Sequence, residues 1–99
     1  MSSASSNRSL NLAPLPAPET WCFAVQGEAS PGLMPRILEL FAKRDLVPAR
    51  LHSALLPGVG GELSMDIQVA QIDSELAAYI GRSMRQLVGV TAVLISRKS

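Results

Sequence analysis

Ninety-nine residues, 47% of them hydrophobic and 17% charged, describe one domain with one core and leave no room for a second. The net charge is +1, the nine Lys and Arg are scattered, and aromatic residues make up 4%, which argues against nucleic acid or an anionic membrane as the main partner. The single cysteine, Cys22, cannot build a disulfide framework or a cysteine metal site within one chain, and no run reaches the roughly 18 apolar residues of a membrane span or forms a secretory leader, so a cytoplasmic location is expected.

Residues 1–19 are rich in Ser, Ala, Asn and Pro, end in Pro14-Leu-Pro-Ala-Pro18, and carry no periodic apolar pattern. A disordered N-terminal tail is expected there, with the folded domain over residues 20–99. Leu10, Leu12 and Leu15 could dock on a partner, although tails of this composition are commonly passive.

From Thr20 to Gly27 the residues alternate, with Trp21, Phe23 and Val25 on one side and Cys22, Ala24 and Gln26 on the other. That is the pattern of a half-buried strand, and Cys22 is expected as a small core residue in a reducing compartment. Glu28-Ala-Ser-Pro-Gly-Leu-Met-Pro-Arg-Ile37 then turns tightly into a helix. First-turn amides of a helix have no partner inside it and carry partial positive charge, so such a turn can hold a small anion or an amino acid. Pro31 fixes φ at no cost in hydrogen bonding, and Gly32 lets a backbone or a ligand come close. The same residues also read as an ordinary helix start.

Leu33, Ile37, Leu40 and Phe41 recur at i, i+4, i+7 and i+8, while Arg36, Glu39, Lys43 and Arg44 fall mostly on the other face, which makes an amphipathic helix. Pro35 must sit in its first turn, so the helix is expected to begin at Gly32 or Leu33 rather than at Pro31. Val47 to Leu56 reads as a second strand entered through Pro48, and Pro57-Gly-Val-Gly-Gly61 as a hairpin connection. Leu63, Met65, Ile67 and Val69 alternate with Ser64, Asp66 and Gln68 as a third strand. Asp73 or Ser74 caps a second helix with apolar positions Leu76, Ile80, Met84 and Leu87, and Gly89 stops it. Thr91 to Ser96 is apolar on both faces, so this fourth strand is expected to be central or covered by a partner.

The order β-α-β-β-α-β predicts an α+β, ferredoxin-like sandwich: a four-stranded antiparallel sheet with two helices on one face. No catalytic set emerges along it. His52 is the only histidine and has no fixed acidic neighbour in the sequence, Glu62 and Asp66 share a strand face better suited to solvent than to acid/base work, and Ser30 lacks a base. No cofactor and no metal are expected. Val25-Gln-Gly27 resembles the V-Q-G of acylphosphatases, but it continues as Glu28-Ala-Ser-Pro, with an acid where phosphate would sit, and the asparagine-bearing strand of that family is missing. Metal-carrying and RNA-binding modules of this topology would need paired cysteines or strand aromatics, and neither occurs here.

Laid out this way, Thr20 to Lys98 resembles an ACT domain, a small regulatory module that binds amino acids. Ser30-Pro-Gly-Leu-Met-Pro-Arg-Ile37 is similar to that family's strand, turn and helix start. Within it, Arg36-Ile-Leu-Glu-Leu-Phe-Ala-Lys-Arg-Asp45 resembles the R-I/V-x-x-L-F-x-x-R-G helix of acetolactate synthase small subunits, with Asp45 in place of glycine. Leu63-Ser-Met-Asp-Ile-Gln-Val69 and Arg85-Gln-Leu-Val-Gly-Val90 look like further segments of the same subunits. The resemblance implies a non-catalytic regulatory subunit that forms a homodimer and activates the large catalytic subunit of acetolactate synthase, with feedback by valine, leucine or isoleucine. A stand-alone amino-acid-sensing domain for another enzyme is the alternative.

It also implies a ligand at Ala29, Ser30, Pro31, Gly32, Leu33 and Met34, between this turn and the sheet edge of a neighbouring protomer. Two departures stand out. Ala29 occupies the position where the family places Asp or Asn to grip the ligand's amino group, a loss of roughly 1.5–3 kcal/mol, or about tenfold to a hundredfold in affinity. Glu28 could replace that side chain only if the turn shifted by one residue. Many small subunits also carry a further C-terminal domain, so a short version that activates without tight feedback is expected.

Overall fold

Alternation in four segments becomes strand pairing, and the two helical periodicities become one layer packed on the resulting sheet. The computed structural model describes residues 18–58 and 60–99, so the tail expectation for residues 1–17 falls outside the described residues. In chain order the elements are β1 (Glu19–Glu28), α1 (Leu33–Ala42), β2 (Arg50–Leu56), β3 (Glu62–Ile72), α2 (Ser74–Arg85) and β4 (Val90–Arg97). They form a four-stranded sheet in the order β2-β3-β1-β4, with every pairing antiparallel. The expected α+β, ferredoxin-like fold is the one observed.

Side chains alternate across this sheet as the sequence requires. Phe23 and Val25 of β1 and Met65, Ile67 and Val69 of β3 point into the helical layer, where they meet Leu33, Ile37, Leu40 and Phe41 of α1 and Ala77, Ile80 and Met84 of α2. Phe23 and Phe41 meet edge to face at 5.5 Å between centroids, the geometry favoured by their ring quadrupoles. Outside the core, Arg44 beyond α1 stacks on Tyr79 of α2 at 4.5 Å, with Arg82 at 5.8 Å from the same ring. The Arg44 contact ties the end of α1 to α2 on the solvent side.

The helix ends differ. Asp73 caps α2, its carboxylate accepting from the Leu76 amide at 2.8 Å. Helix α1 starts at Gly32 with no side-chain cap. Beyond α1 the chain turns through Asp45, at φ 56°, the left-handed region that explains why glycine suits this position. Gln71 also has positive φ, at 64°, where an extra residue on β3 shifts its register against the start of β1.

Three expectations are corrected. Strand β4 is not central: it pairs only with β1 and forms an edge, because each crossover helix leaves β1 and β3 side by side in the middle. Cys22 is half-buried on the sheet face away from the helices, not in the core, since its neighbour Phe23 takes the inward position. Strand β2 begins at Arg50 rather than Val47, because Pro48 has no amide to donate and pairing starts where the Ala49 amide reaches the Gln68 carbonyl at 2.7 Å. Two bounds also shift: β1 begins one residue earlier than expected, at Glu19, and α2 ends at Arg85, so Leu87 lies beyond the helix rather than on it and the chain leaves helical geometry before Gly89.

Candidate ligand-binding cleft

Gly27 decides where the β1–α1 turn lies. A Cβ on it would sit 2.6 Å from the Gly89 carbonyl oxygen and 2.6 Å from a methyl of Leu33. The Glu28 amide donates to that same carbonyl at 2.8 Å. The end of β1 is thereby tied to the start of β4, and the chain leaves toward α1 from a fixed point. Ser30 N then donates to the Glu28 carbonyl at 2.8 Å, and Leu33 N to the Ser30 carbonyl at 3.2 Å.

These bonds reduce the turn's supply of free donors. Pro31 and Pro35 have no N–H, and Leu33 has spent its own, so Gly32 and Met34 carry the first-turn amides that no carbonyl takes among the described residues. Gly32 has ordinary right-handed dihedrals, φ −87° and ψ −9°. A Cβ there would meet only the guanidinium of Arg36, at 2.9 Å, so the space beside it belongs to Arg36 rather than to an approaching ligand.

Beside the turn lies an open cleft of about 500 Å³, walled by Ala29, Ser30, Pro31, Met34 and Pro35 on one side and by Ser53, Ala54, Leu55 and Leu63 on the other. Of the six turn residues singled out in the sequence, Ala29, Ser30, Pro31 and Met34 line it. Leu33 does not; it is fully buried in the core, as the first apolar position of an amphipathic helix must be. Gly32 lies beneath Arg36 instead. The far wall, from β2 and β3, was not singled out. Alternation along β2 places Ser53 and Leu55 on the helix side, but only the pairing of Ser53 with Met65 and Leu55 with Leu63 brings them opposite the turn.

No lining residue carries a charge. Ala29 packs against the β2–β3 connection, where a Cβ on Gly61 would lie 3.3 Å from its methyl. Glu28 does not take over the missing acidic role. It is the last residue of β1, stands across from Glu62 in the sheet register, and lines a separate depression of about 250 Å³ with Gly27, Pro57, Gly58, Gly61, Glu62 and Thr91. Elsewhere, His52 faces Asp66 across β2 and β3 on the open sheet face. Among the described residues, no three His, Cys, Asp or Glu side chains gather to hold a metal ion, and no helix is long and apolar enough to cross a membrane.

A sandwich of this order, with a cleft between its first turn and its β2 edge, defines a class of small α+β modules, and the family follows from the match. The chain belongs to the ACT-like domain family, whose model matches residues 18–99. No curated protein matches it. Among solved structures it is similar to the ACT domain from GTP pyrophosphokinase of Chlorobium tepidum, at 15% identity and a TM-score of 0.64 over 80% of this chain and 99% of that one. The C-terminal domain of the MgtC protein from Mycobacterium tuberculosis matches at 9% identity and a TM-score of 0.63, covering 88% and 94% of the two chains. A formyltetrahydrofolate deformylase from Pseudomonas putida KT2440 matches at 13% identity and a TM-score of 0.60, over 79% of this chain but 28% of that one. At these identities the likeness concerns the fold alone.

Proposed function

We infer that this protein is a non-catalytic regulatory subunit of the cytoplasm that forms a homodimer and activates a larger catalytic subunit, that of acetolactate synthase. The observation that carries the reading is the uncharged cleft at the α1 start of an ACT-like domain. It retains the position of an amino-acid site but offers no carboxylate to an ammonium group. An apolar side chain such as that of valine, leucine or isoleucine suits the walls of Met34, Pro35, Leu55 and Leu63. The ligand's charged amino group finds no partner in this chain's own cleft, so feedback binding is weak while activation persists. The homodimer is supported by the apolar side chains exposed at and beside β2, where Leu55 is 72% and Leu51 47% exposed.

The test is reconstitution. Added to purified acetolactate synthase large subunit, the protein should co-purify with it and raise its rate, while calorimetry with valine, leucine and isoleucine should show weak binding or none. Failure to associate or to activate refutes the assignment to this enzyme. Sub-micromolar binding of a free amino acid in the absence of the large subunit would favour a stand-alone sensor instead. Turnover of an acyl phosphate or ester by the purified chain at enzyme-like rates would refute a non-catalytic role.

A further inference from the structure

We propose that Arg85 is an edge guard: its guanidinium occupies the outward-facing backbone of β4 and prevents a second copy of the chain from adding a strand there. The orientation of the β4 backbone follows from its hydrogen bonding. Lys98 N donates to the Thr20 carbonyl at 2.9 Å, and the register pairs Cys22 with Ser96, Ala24 with Leu94 and Gln26 with Ala92. Successive residues of a strand direct their N–H and C=O groups to opposite sides, so the even-numbered residues of β4 bond to β1. Val93 and Ile95 therefore turn theirs outward, toward the open edge.

Arg85 meets one of these groups. Its Nη2 donates to the Val93 carbonyl oxygen at 3.0 Å. The side chain comes from the last turn of α2, and α2 lies close over β4, with Gly81 packed directly against the Ile95 side chain. A strand approaching this edge must displace a charged donor from the carbonyl it needs and must also pass the bulk of the guanidinium.

Among the described residues the opposite edge has no such protection. Following the same alternation across the sheet, Leu51, Ser53 and Leu55 carry the outward groups of β2, and among the described residues no side-chain donor reaches them. Arg85 thus disfavours strand addition on the β4 side of the sheet. This inference does not depend on the identity of the catalytic partner or on any ligand.

The experiment compares the wild type with R85M, which keeps the apolar stem but cannot donate, and with R85K, which keeps a cationic donor on the edge. Sedimentation equilibrium from micromolar to millimolar concentration is combined with amide exchange followed by NMR. R85M should associate through its β4 edge about tenfold more tightly than the wild type does through the same edge, the equivalent of one freed backbone hydrogen bond. New protection should appear at the outward amides of Val93 and Ile95, whereas pairing through β2 would protect Ser53 and Leu55 and so reads separately. R85K should behave as the wild type does. Association in R85M but not in R85K, with protection on β4, supports the guard; any other pattern overturns it. If R85M does not fold, R85Q, which keeps a polar tip too short to span to Val93, takes its place with the same expected results.

Discussion

Replacing Gly27 with alanine tests whether one close backbone approach positions the whole first turn. The added Cβ would stand 2.6 Å from the Gly89 carbonyl oxygen and 2.6 Å from a Leu33 methyl. The methyl can rotate away, but the carbonyl belongs to backbone that also accepts the Glu28 amide at 2.8 Å. Relief therefore means separating β1 from β4 at this point. Overpacking of this kind costs about 1–3 kcal/mol, and stretching the Glu28–Gly89 hydrogen bond costs about 1 kcal/mol more. A total of about 2–4 kcal/mol lowers the melting temperature of a domain this size by roughly 10–30 °C. Thermal unfolding followed by circular dichroism measures the shift. Because Ala29 and Ser30 ride on this anchor, their amide chemical shifts should move in the same variant. A melting temperature within about 4 °C of the wild type, the lower edge of a 1 kcal/mol effect, would show that the approach is not a structural constraint.

Asp45→Gly should stabilise the protein by about 0.5–1 kcal/mol, since it relieves a left-handed residue at φ 56° at some cost in unfolded-state entropy; a lowered denaturation midpoint would contradict this. Asp73→Ala should cost about 1 kcal/mol by removing the acceptor of the Leu76 amide, while Asp73→Asn, which keeps an acceptor, should stay near the wild type in urea unfolding. Ile37→Ala should cost about 2–5 kcal/mol, because the side chain is fully buried at the centre of the helix–sheet interface. Chemical denaturation with an unchanged slope would confirm that this loss is one of stability alone.

Local periodicity was enough to place all six elements and most of the core. Phe23, Ile37, Met65 and Ile80 are inward because their spacing matches a strand or a helix, and that information is carried within a few neighbouring residues. The helix start was legible for the same reason, since two prolines flanking Gly32, Leu33 and Met34 leave few places where α1 can begin. The family was legible in the turn and helix segments, and the family model extends that match to residues 18–99.

What the tertiary structure decided are matters of pairing. Leu94 and Val93 look alike in sequence whether β4 is central or at an edge, and only its bonding to β1 alone makes it an edge. Cys22 and Phe23 alternate, but which of the two faces the helices depends on where those helices pack. The cleft is half visible for the same reason. Ala29, Ser30, Pro31 and Met34 lie within one six-residue stretch, whereas Ser53, Leu55 and Leu63 join them only through the β2–β3 register. That Glu28 lies away from the cleft, and that Arg85 reaches the Val93 carbonyl, depend on the direction in which a side chain leaves an already assembled sheet. Periodicity within a segment fixes its type and its buried side; contacts between segments distant in sequence fix what each side meets.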